Sequence, residues 1–455
     1  MKPMPVTDSM FLALDTREHP MHVGGLALFT PPPDAGDDHL RLLREDLLRH
    51  SPVRDVFRLR PATPLHSLGY LAWTEDTDLD LDYHFRHSAL PQPGRIRELL
   101  EVVSRWHSTP LDRHRPLWEI HLVEGLADGR FAFYSKIHHA LLDGVSALRQ
   151  LQSVLTDDPD ARDCPPLWGT RRPPRDRVRP SPRPTALLRA GGRLVGDLVG
   201  MAPVAARVAT EAFRDHRLTL PLEAPRTMFN VPVGGARRFA AQSWELERIG
   251  AVADAAGVPR NDVVLAMCSA ALRTYLSERN ELPDTSLVAM VPVSLRPRSG
   301  DATAGNRVGA LLCELGTNLV DPADRLTVVH RCMSDGKRLF KDLSPTQALA
   351  LSALNVAPFA VAPLPGVVTH TRPAFNVVIS NIPGPRSQLY WNGARLDGLY
   401  PASVLLDGLA LNITTVSSGG TLDVGITGCR RSVPHLQRLL TYLEDGLSAL
   451  ERAVL

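Results

Sequence analysis

The stretch His138-His139-Ala140-Leu141-Leu142-Asp143-Gly144 decides how this chain is read. It closes the run RFAFYSKIHH (Arg130–His139), whose apolar content predicts a strand. It precedes VSALRQLQSVL (Val145–Leu155), which places Val145, Leu148, Leu151 and Leu155 on one side of a helix. A neutral imidazole is the best general base near pH 7, provided that its ring is held in one tautomer and one rotamer. A carboxylate four residues on can brace the turn through an ion pair elsewhere, and the adjacent glycine removes a side chain from a substrate's path. Two other readings stand beside this one. His138 and His139 can be packed strand-end residues, with Asp143 capping the following helix. They can also be metal ligands together with Asp143, although neighbours on a strand point to opposite faces.

Outward from this turn, EIHLVEGL (Glu119–Leu126) pairs with Arg130–His139 as a hairpin around Ala127-Asp128-Gly129, HVGGLALF (His22–Phe29) reads as a further strand, and Leu40–Leu48 as a short helix. From Pro165 to Pro184 the chain holds seven Pro and six Arg, a composition that predicts an exposed linker. Ala186–Phe213 is helical in tendency but interrupted by Gly191, Gly192 and Pro203. Asn261–Arg279 is a strong helix with Asn261 as its N-cap. Ser286–Leu295 and Phe375–Ile382 read as buried central strands, Leu409–Cys429 as a hairpin around Gly419-Gly420, and Val433–Leu450 as a closing helix. The expected class is α/β or mixed α+β, with a mixed sheet in each half. The expected division is 1–165, a linker and crossover helix at 166–235, and 236–455.

Composition removes several function classes. The 455 residues carry a net charge of +2, so no global basic field for nucleic acid exists. Cys164, Cys268, Cys313, Cys332 and Cys429 are scattered without a CxxC, against a disulfide framework or a cysteine zinc site and in keeping with a reducing cytoplasm. The opening MKPMPVTDSM lacks a signal-peptide pattern. The longest stretch free of Asp, Glu, Lys and Arg, Leu343–Thr371, is broken by four prolines and predicts no membrane span; a core helix pair, an acyl tunnel lining and a lipid-contacting surface are all open for it. The Arg-rich segment Arg171–Arg193 is either a solvated linker or a contact for an anionic membrane.

The HHxxxDG pattern resembles the signature of acyltransferases built like chloramphenicol acetyltransferase, a group that includes peptide-synthetase condensation domains and plant acyl-CoA acyltransferases. Further stretches narrow the resemblance to the bacterial wax ester synthase/diacylglycerol acyltransferase family: Pro20-Met21-His22-Val23-Gly24-Gly25-Leu26, Pro110-Leu111-Asp112-Arg113, Arg115-Pro116-Leu117-Trp118-Glu119, Asn261-Asp262, Pro292-Val293-Ser294-Leu295-Arg296, Gly305-Asn306-Arg307-Val308-Gly309 and Ser380-Asn381-Ile382-Pro383-Gly384-Pro385. The Asp-Phe-Gly-Trp-Gly motif of the plant branch is missing; Asp423-Val424-Gly425-Ile426 is the nearest text.

The resemblance implies two chloramphenicol-acetyltransferase-like lobes with a tunnel at their interface and His139 midway along it. His139 would be the general base for an alcohol attacking an acyl-CoA thioester, with no acyl-enzyme, no metal and no redox cofactor. Asp143 would pair with Arg296, while His138 and Gly144 support the turn. Ser380 and Asn381, with Asn261, are candidates to stabilise the oxyanion. Gly24 and Gly25 either let the chain approach a ligand or mark a β-bulge. The implied acceptor is diacylglycerol, with fatty alcohol as an alternative, at a membrane or lipid-droplet surface reached from the cytoplasm. A condensation-type enzyme using carrier-bound acyl chains and a non-catalytic lipid-droplet protein are the competing readings.

Overall fold

Residues 131–138 alternate strictly. Phe131, Phe133 and Ile137 pack into one apolar cluster and Ala132 and Tyr134 into another, on opposite faces of one strand. The computed structural model that contains this strand describes residues 2–49, 52–62, 72–169, 222–294, 308–356 and 367–455. Its two main sheets each have six strands.

In chain order the strands are β1 (His22–Thr30), β2 (Phe85–Ala89), β3 (Trp118–Glu124), β4 (Phe131–His138), β5 (Arg237–Glu245), β6 (Val288–Ser294), β7 (Val308–Glu314), β8 (Val377–Pro383), β9 (Tyr390–Trp391), β10 (Ala394–Ala402), β11 (Leu411–Ser418) and β12 (Thr421–Cys429). The first sheet runs β9-β10-β1-β4-β3-β2 and the second β7-β6-β8-β11-β12-β5. Both are mixed: β2 lies parallel to β3, and β8 lies parallel to both β6 and β11. The helices that matter for the site are α1 (Val6–Leu14), α2 (Ile96–Ser108), α3 (Gly144–Gln152), α4 (Arg260–Ser277), α5 (Pro322–Asp342) and α6 (Arg438–Val454).

The expected mixed sheet in each half is present, but the C-terminal half lends two strands to the first sheet. Residues 390–402 leave the C-terminal part and extend the first sheet, with β10 antiparallel to β1. The expected division at 165 and 236 therefore follows the chain and not the sheets. No local pattern signals this, because a strand's partner depends on the whole topology rather than on its own residues. The linker also begins later than expected. Leu167 and Trp168 are fully buried, and the Trp168 ring packs on Phe85 and Trp118. At the other end, Phe229 is buried and Asn230 donates to the carbonyls of Phe375 and Gly408 at 3.0 Å. The Arg cluster and the helical stretch Ala186–Phe213 lie outside the described residues.

Two helix ends differ from expectation. The N-cap of α4 is Pro259, so Asn261 lies inside the first turn with its side chain free for other work. The last helix starts at Arg438 instead of Val433, because Pro434 and a left-handed His435 (φ 55°) break the segment before it. Of the uncharged stretch, the described part includes a helix, Pro345–Val356, that covers the edge strand β7. Ser352 Oγ accepts from Ala310 N at 3.0 Å, and Asn355 donates to Ala310 O at 2.8 Å. Among the described residues no helix is long and apolar enough to cross a membrane.

The two lobes meet through hydrogen bonds and close backbone packing. Ser104 and Ser108 of α2 accept from Phe239 N and Arg237 N of the edge strand β5, at 2.9 and 2.8 Å. Asp423 on β12 accepts from Leu399 N of β10 at 2.7 Å and from Ser243 Oγ at 2.7 Å, and the Tyr400 hydroxyl lies 2.9 Å from Ser243 Oγ. A Cβ on Gly425 would sit 1.9 Å from Pro401 O, so only glycine lets β12 come this close to β10. The Asp423-Val424-Gly425 text thus serves the lobe junction here.

Candidate active site

The two histidines end β4 and are held very differently. His138 is fully buried opposite His22 of β1. Its Nδ1 accepts from Ala140 N at 3.1 Å, which puts the ring proton on Nε2, 3.7 Å from Asp15 Oδ2. Asp15 follows α1 and is buried. It accepts from Met21 N at 2.9 Å and from the Arg113 guanidinium at 3.1 Å. Burial works against its charge, but the facing His138, the Met21 N–H and Arg113 hold its carboxyl below the usual range. His138 is thus a structural member of an Asp15–Arg113 network.

His139 is half-buried. Its backbone N–H donates to Met21 O at 2.8 Å, an extension of the β1–β4 pairing that fixes where the side chain starts. Nδ1 is buried with no hydrogen-bond partner among the described residues, which leaves Nε2 to meet a substrate. Burial lowers the basicity of the ring, against the opposing pull of the Asp143 charge, so the ring is neutral at pH 7. The Phe11 ring of α1 stacks on it, centroids 4.0 Å apart and planes 25° from parallel.

Asp143 is the N-cap of α3, with Oδ1 accepting from Ser146 N at 2.7 Å. The capping role open in the sequence is therefore realised. Asp143 still acts on His139 through its charge. Its expected partner Arg296 lies outside the described residues. Gly144 opens α3, and no described atom comes within 4 Å of the place a Cβ would take. The side chains of the metal reading point to separate tasks: His138 to Ala140 N and Asp15, Asp143 to the cap.

Gly24 and Gly25 lie in the unbroken ladder of β1, opposite Lys136 and Ser135, so the β-bulge reading fails there. The shift in register lies on β10, between Leu396 and Gly398. At Gly24 a Cβ would lie 2.9 Å from the Tyr134 ring, so the missing side chain makes room for Tyr134. Gly25 meets Ser135 Oγ and Leu399 at ordinary contact distance.

On the second lobe, Ser380 and Asn381 sit in β8 opposite Thr414 and Thr415 of β11. Asn381 Nδ2 donates to Asn261 Oδ1 at 3.3 Å, so two of the three oxyanion candidates are brought together. The neighbouring Asp262 is buried and accepts from His330 Nδ1 at 2.8 Å, tying α4 to α5 below the pair. The strand end reaches the first lobe: Ile382 packs on the apolar cluster that also takes Leu141, Leu142 and Leu148 around the His139 turn. A described cavity of about 320 Å³ lies elsewhere, between α2, β5 and β10, lined by Leu26, Leu99, Arg130, Ser243 and Tyr400.

Sequence reasoning missed Asp15 and Phe11, which precede the motif by more than a hundred residues and match no pattern of their own. Arg113 stood in a quoted stretch, and its role is now visible.

Comparisons with known proteins agree along the whole chain. Residues 4–264 match the model of the wax ester synthase/diacylglycerol acyltransferase catalytic domain, and residues 304–451 match that of the family's C-terminal domain. The chain is 54% identical over 447 residues to a probable diacylglycerol O-acyltransferase of Mycobacterium tuberculosis, covering 98% of each. It is 41% identical over 459 residues to the O-acyltransferase WSD of Acinetobacter baylyi, covering 100% of this chain and 98% of that protein. The solved wax ester synthase/diacylglycerol acyltransferase of Marinobacter aquaeolei VT8 superposes with a TM-score of 0.79 at 42% identity, covering both chains fully. The first condensation domain of the CDA synthetase shares the fold at 18% identity, with a TM-score of 0.58, covering 99% of this chain and 95% of that one.

Proposed function

The chain belongs to the wax ester synthase/diacylglycerol acyltransferase family, and from that premise we propose that it transfers a long-chain acyl group from acyl-CoA to diacylglycerol, with fatty alcohol as a second acceptor. The observation that carries the mechanism is His139: its backbone seated on the Met21 carbonyl, its ring neutral and buried at Nδ1, with no hydrogen bond at Nε2 among the described residues.

Nε2 takes the proton of the acceptor hydroxyl as its oxygen attacks the thioester carbonyl. The tetrahedral intermediate collapses, the C–S bond breaks, and the imidazolium returns the proton to the leaving thiolate. One ester and one CoA thiol result; no acyl-enzyme forms and the balance needs no metal or redox group. Both substrates are held at once, so proximity supplies a large share of the rate. They reach His139 through a tunnel between the lobes. Ser380 and the Asn381–Asn261 pair are the candidate donors to the oxyanion. Asp143 keeps the turn in place through the α3 cap. Contact with a membrane or lipid-droplet surface is peripheral, on the cytoplasmic side, as lipid substrates require.

The test is direct. Purified protein is mixed with palmitoyl-CoA and either diacylglycerol or hexadecanol, and free CoA and neutral lipid are measured. Ester formation with diacylglycerol above that with hexadecanol is expected. Turnover only with an acyl-carrier protein would move the chain to the condensation-type reading, and no turnover with any thioester to the non-catalytic one.

A further inference from the structure

The His138 ring is held at Nδ1 by a hydrogen bond from Ala140 N at 3.1 Å, while its Nε2 has no hydrogen-bond partner among the described residues and faces the Asp15 carboxylate at 3.7 Å. No other residue hydrogen-bonds the His139 ring among the described residues: Nδ1 meets only the backbone of His139 itself, and the hydrogen bond to Met21 is made by the backbone N–H. A base that must present Nε2 to a hydroxyl needs another restraint.

We propose that Phe11 is that restraint, a positioning residue whose ring is the platform holding the His139 imidazole in its working orientation. This rests on His139 being the base. The stack is nearly parallel at 4.0 Å between centroids, so rotation of the imidazole would drive it into the phenyl ring. The platform is itself fixed. Leu12, the next residue of α1, is fully buried in a cluster with Met4, Trp73, Leu111, Leu117 and Ala140, the residue that follows His139. At the C-terminal end of α1, Asp15 joins the Met21, Arg113 and His138 network. Helix and histidine turn are thus anchored to each other on both sides of the stack. The phenyl ring also shields one face of the imidazole from water. The charged and titratable groups that act on the ring are Asp143 and His138 on its own turn, with Asp15 and Arg113 behind His138; Phe11→Leu and Phe11→Ala add no charge beside them.

The experiment compares Phe11→Tyr, Phe11→Leu and Phe11→Ala with wild type, and His139→Ala is run in parallel. Phe11→Leu keeps an apolar residue of similar bulk in place but removes the flat face, so it answers the question even if Phe11→Ala does not fold. Expected are a fall in kcat of about tenfold for Leu and more for Ala, KM for both substrates within about twofold of wild type, and near wild-type kcat for Tyr. In Ala, water reaches the ring and the acidic limb of the pH profile moves up toward 6.5. Wild-type kcat in Leu, or a loss that appears in KM with kcat unchanged, overturns the proposal while an inactive His139→Ala keeps the base assignment. Turnover retained by His139→Ala overturns the base assignment itself.

Discussion

The two six-stranded sheets bury different kinds of polar group. The first lobe buries His22, His84, His107, His121 and His138, together with Lys136 and Glu119. The second buries mainly amides and hydroxyls, such as Asn376, Asn412, Thr414 and Thr415, with Arg237, Asp262, Arg325 and Asp423 as its buried charged groups and no buried histidine among the described residues. The difference separates two tasks. The lobe that holds the base is wired with protonatable side chains, and burial favours the neutral form of His22, His84, His107 and His121. The lobe that faces it offers neutral donors whose state does not change with pH. The first arrangement is the more sensitive to acid near neutrality, where histidines titrate.

Acid separates the lobes most strongly. Burial pushes His22, His84, His107 and His121 below the ordinary imidazole range, His107 down to about 3. Their folded-state values lie below the unfolded value of about 6.5, so the unfolded chain takes up protons first. Their contribution is complete above about pH 6.5 and is lost as the pH falls, by up to about 1.4 kcal/mol per unit for each histidine that is still neutral in the fold. Amide exchange between pH 7 and 5 is expected to lose protection in β1 and β4 before β8 and β11. Equal loss in both would break the comparison.

Next in size is Glu119→Ala. Lys136 has no exposed surface; its Nζ lies 3.0 Å from Glu119 Oε2 and donates to the carbonyls of Trp106 and Thr109. Burial alone would raise the pKa of Glu119, yet His121 and Lys136 bring it down to about 2. Removing the carboxylate strands a buried ammonium and is expected to cost about 3–5 kcal/mol in denaturant unfolding. The double change Glu119→Leu with Lys136→Met should recover much of it. A single change that unfolds like wild type would mean that the pair holds nothing.

Gly24→Ala comes third. Its methyl meets the Tyr134 ring at 2.9 Å and Ser135 O at 3.2 Å, and about 1–3 kcal/mol of stability should be lost. Asn381→Ala, in the second lobe, should cost about 1 kcal/mol or less on unfolding and still slow CoA release, because one hydrogen bond of 3.3 Å is lost while no charge is stranded. If it unfolds the protein as severely as Glu119→Ala, the contrast between the lobes fails.

Elements with a strong local signal were legible in the sequence. The β3–β4 hairpin, α4, β8 and the β11–β12 hairpin all lie where their apolar patterns put them. The motif also gave the correct turn, with His139 ending a strand and Asp143 opening a helix. What escaped depends on distance in the chain. The β10 strand joins β1 across more than three hundred and fifty residues, and Asp15 and Phe11 reach the histidines from a helix with no motif of its own. A missing side chain at Gly24 looks the same in sequence whether it lets a ligand approach, marks a bulge or makes room for Tyr134. Asn261 was read as a cap because its position beside the helix start could not show that Pro259 already takes that place.

The central claim is that the His139 imidazole moves the proton. Single-turnover release of CoA from palmitoyl-CoA with diacylglycerol, measured for wild type and His139→Ala at pH 7 beside their unfolding midpoints, tests it most directly. The account predicts a loss of at least about a hundredfold in the rate with an unchanged midpoint. A variant that releases CoA within a few-fold of the wild-type rate would contradict it.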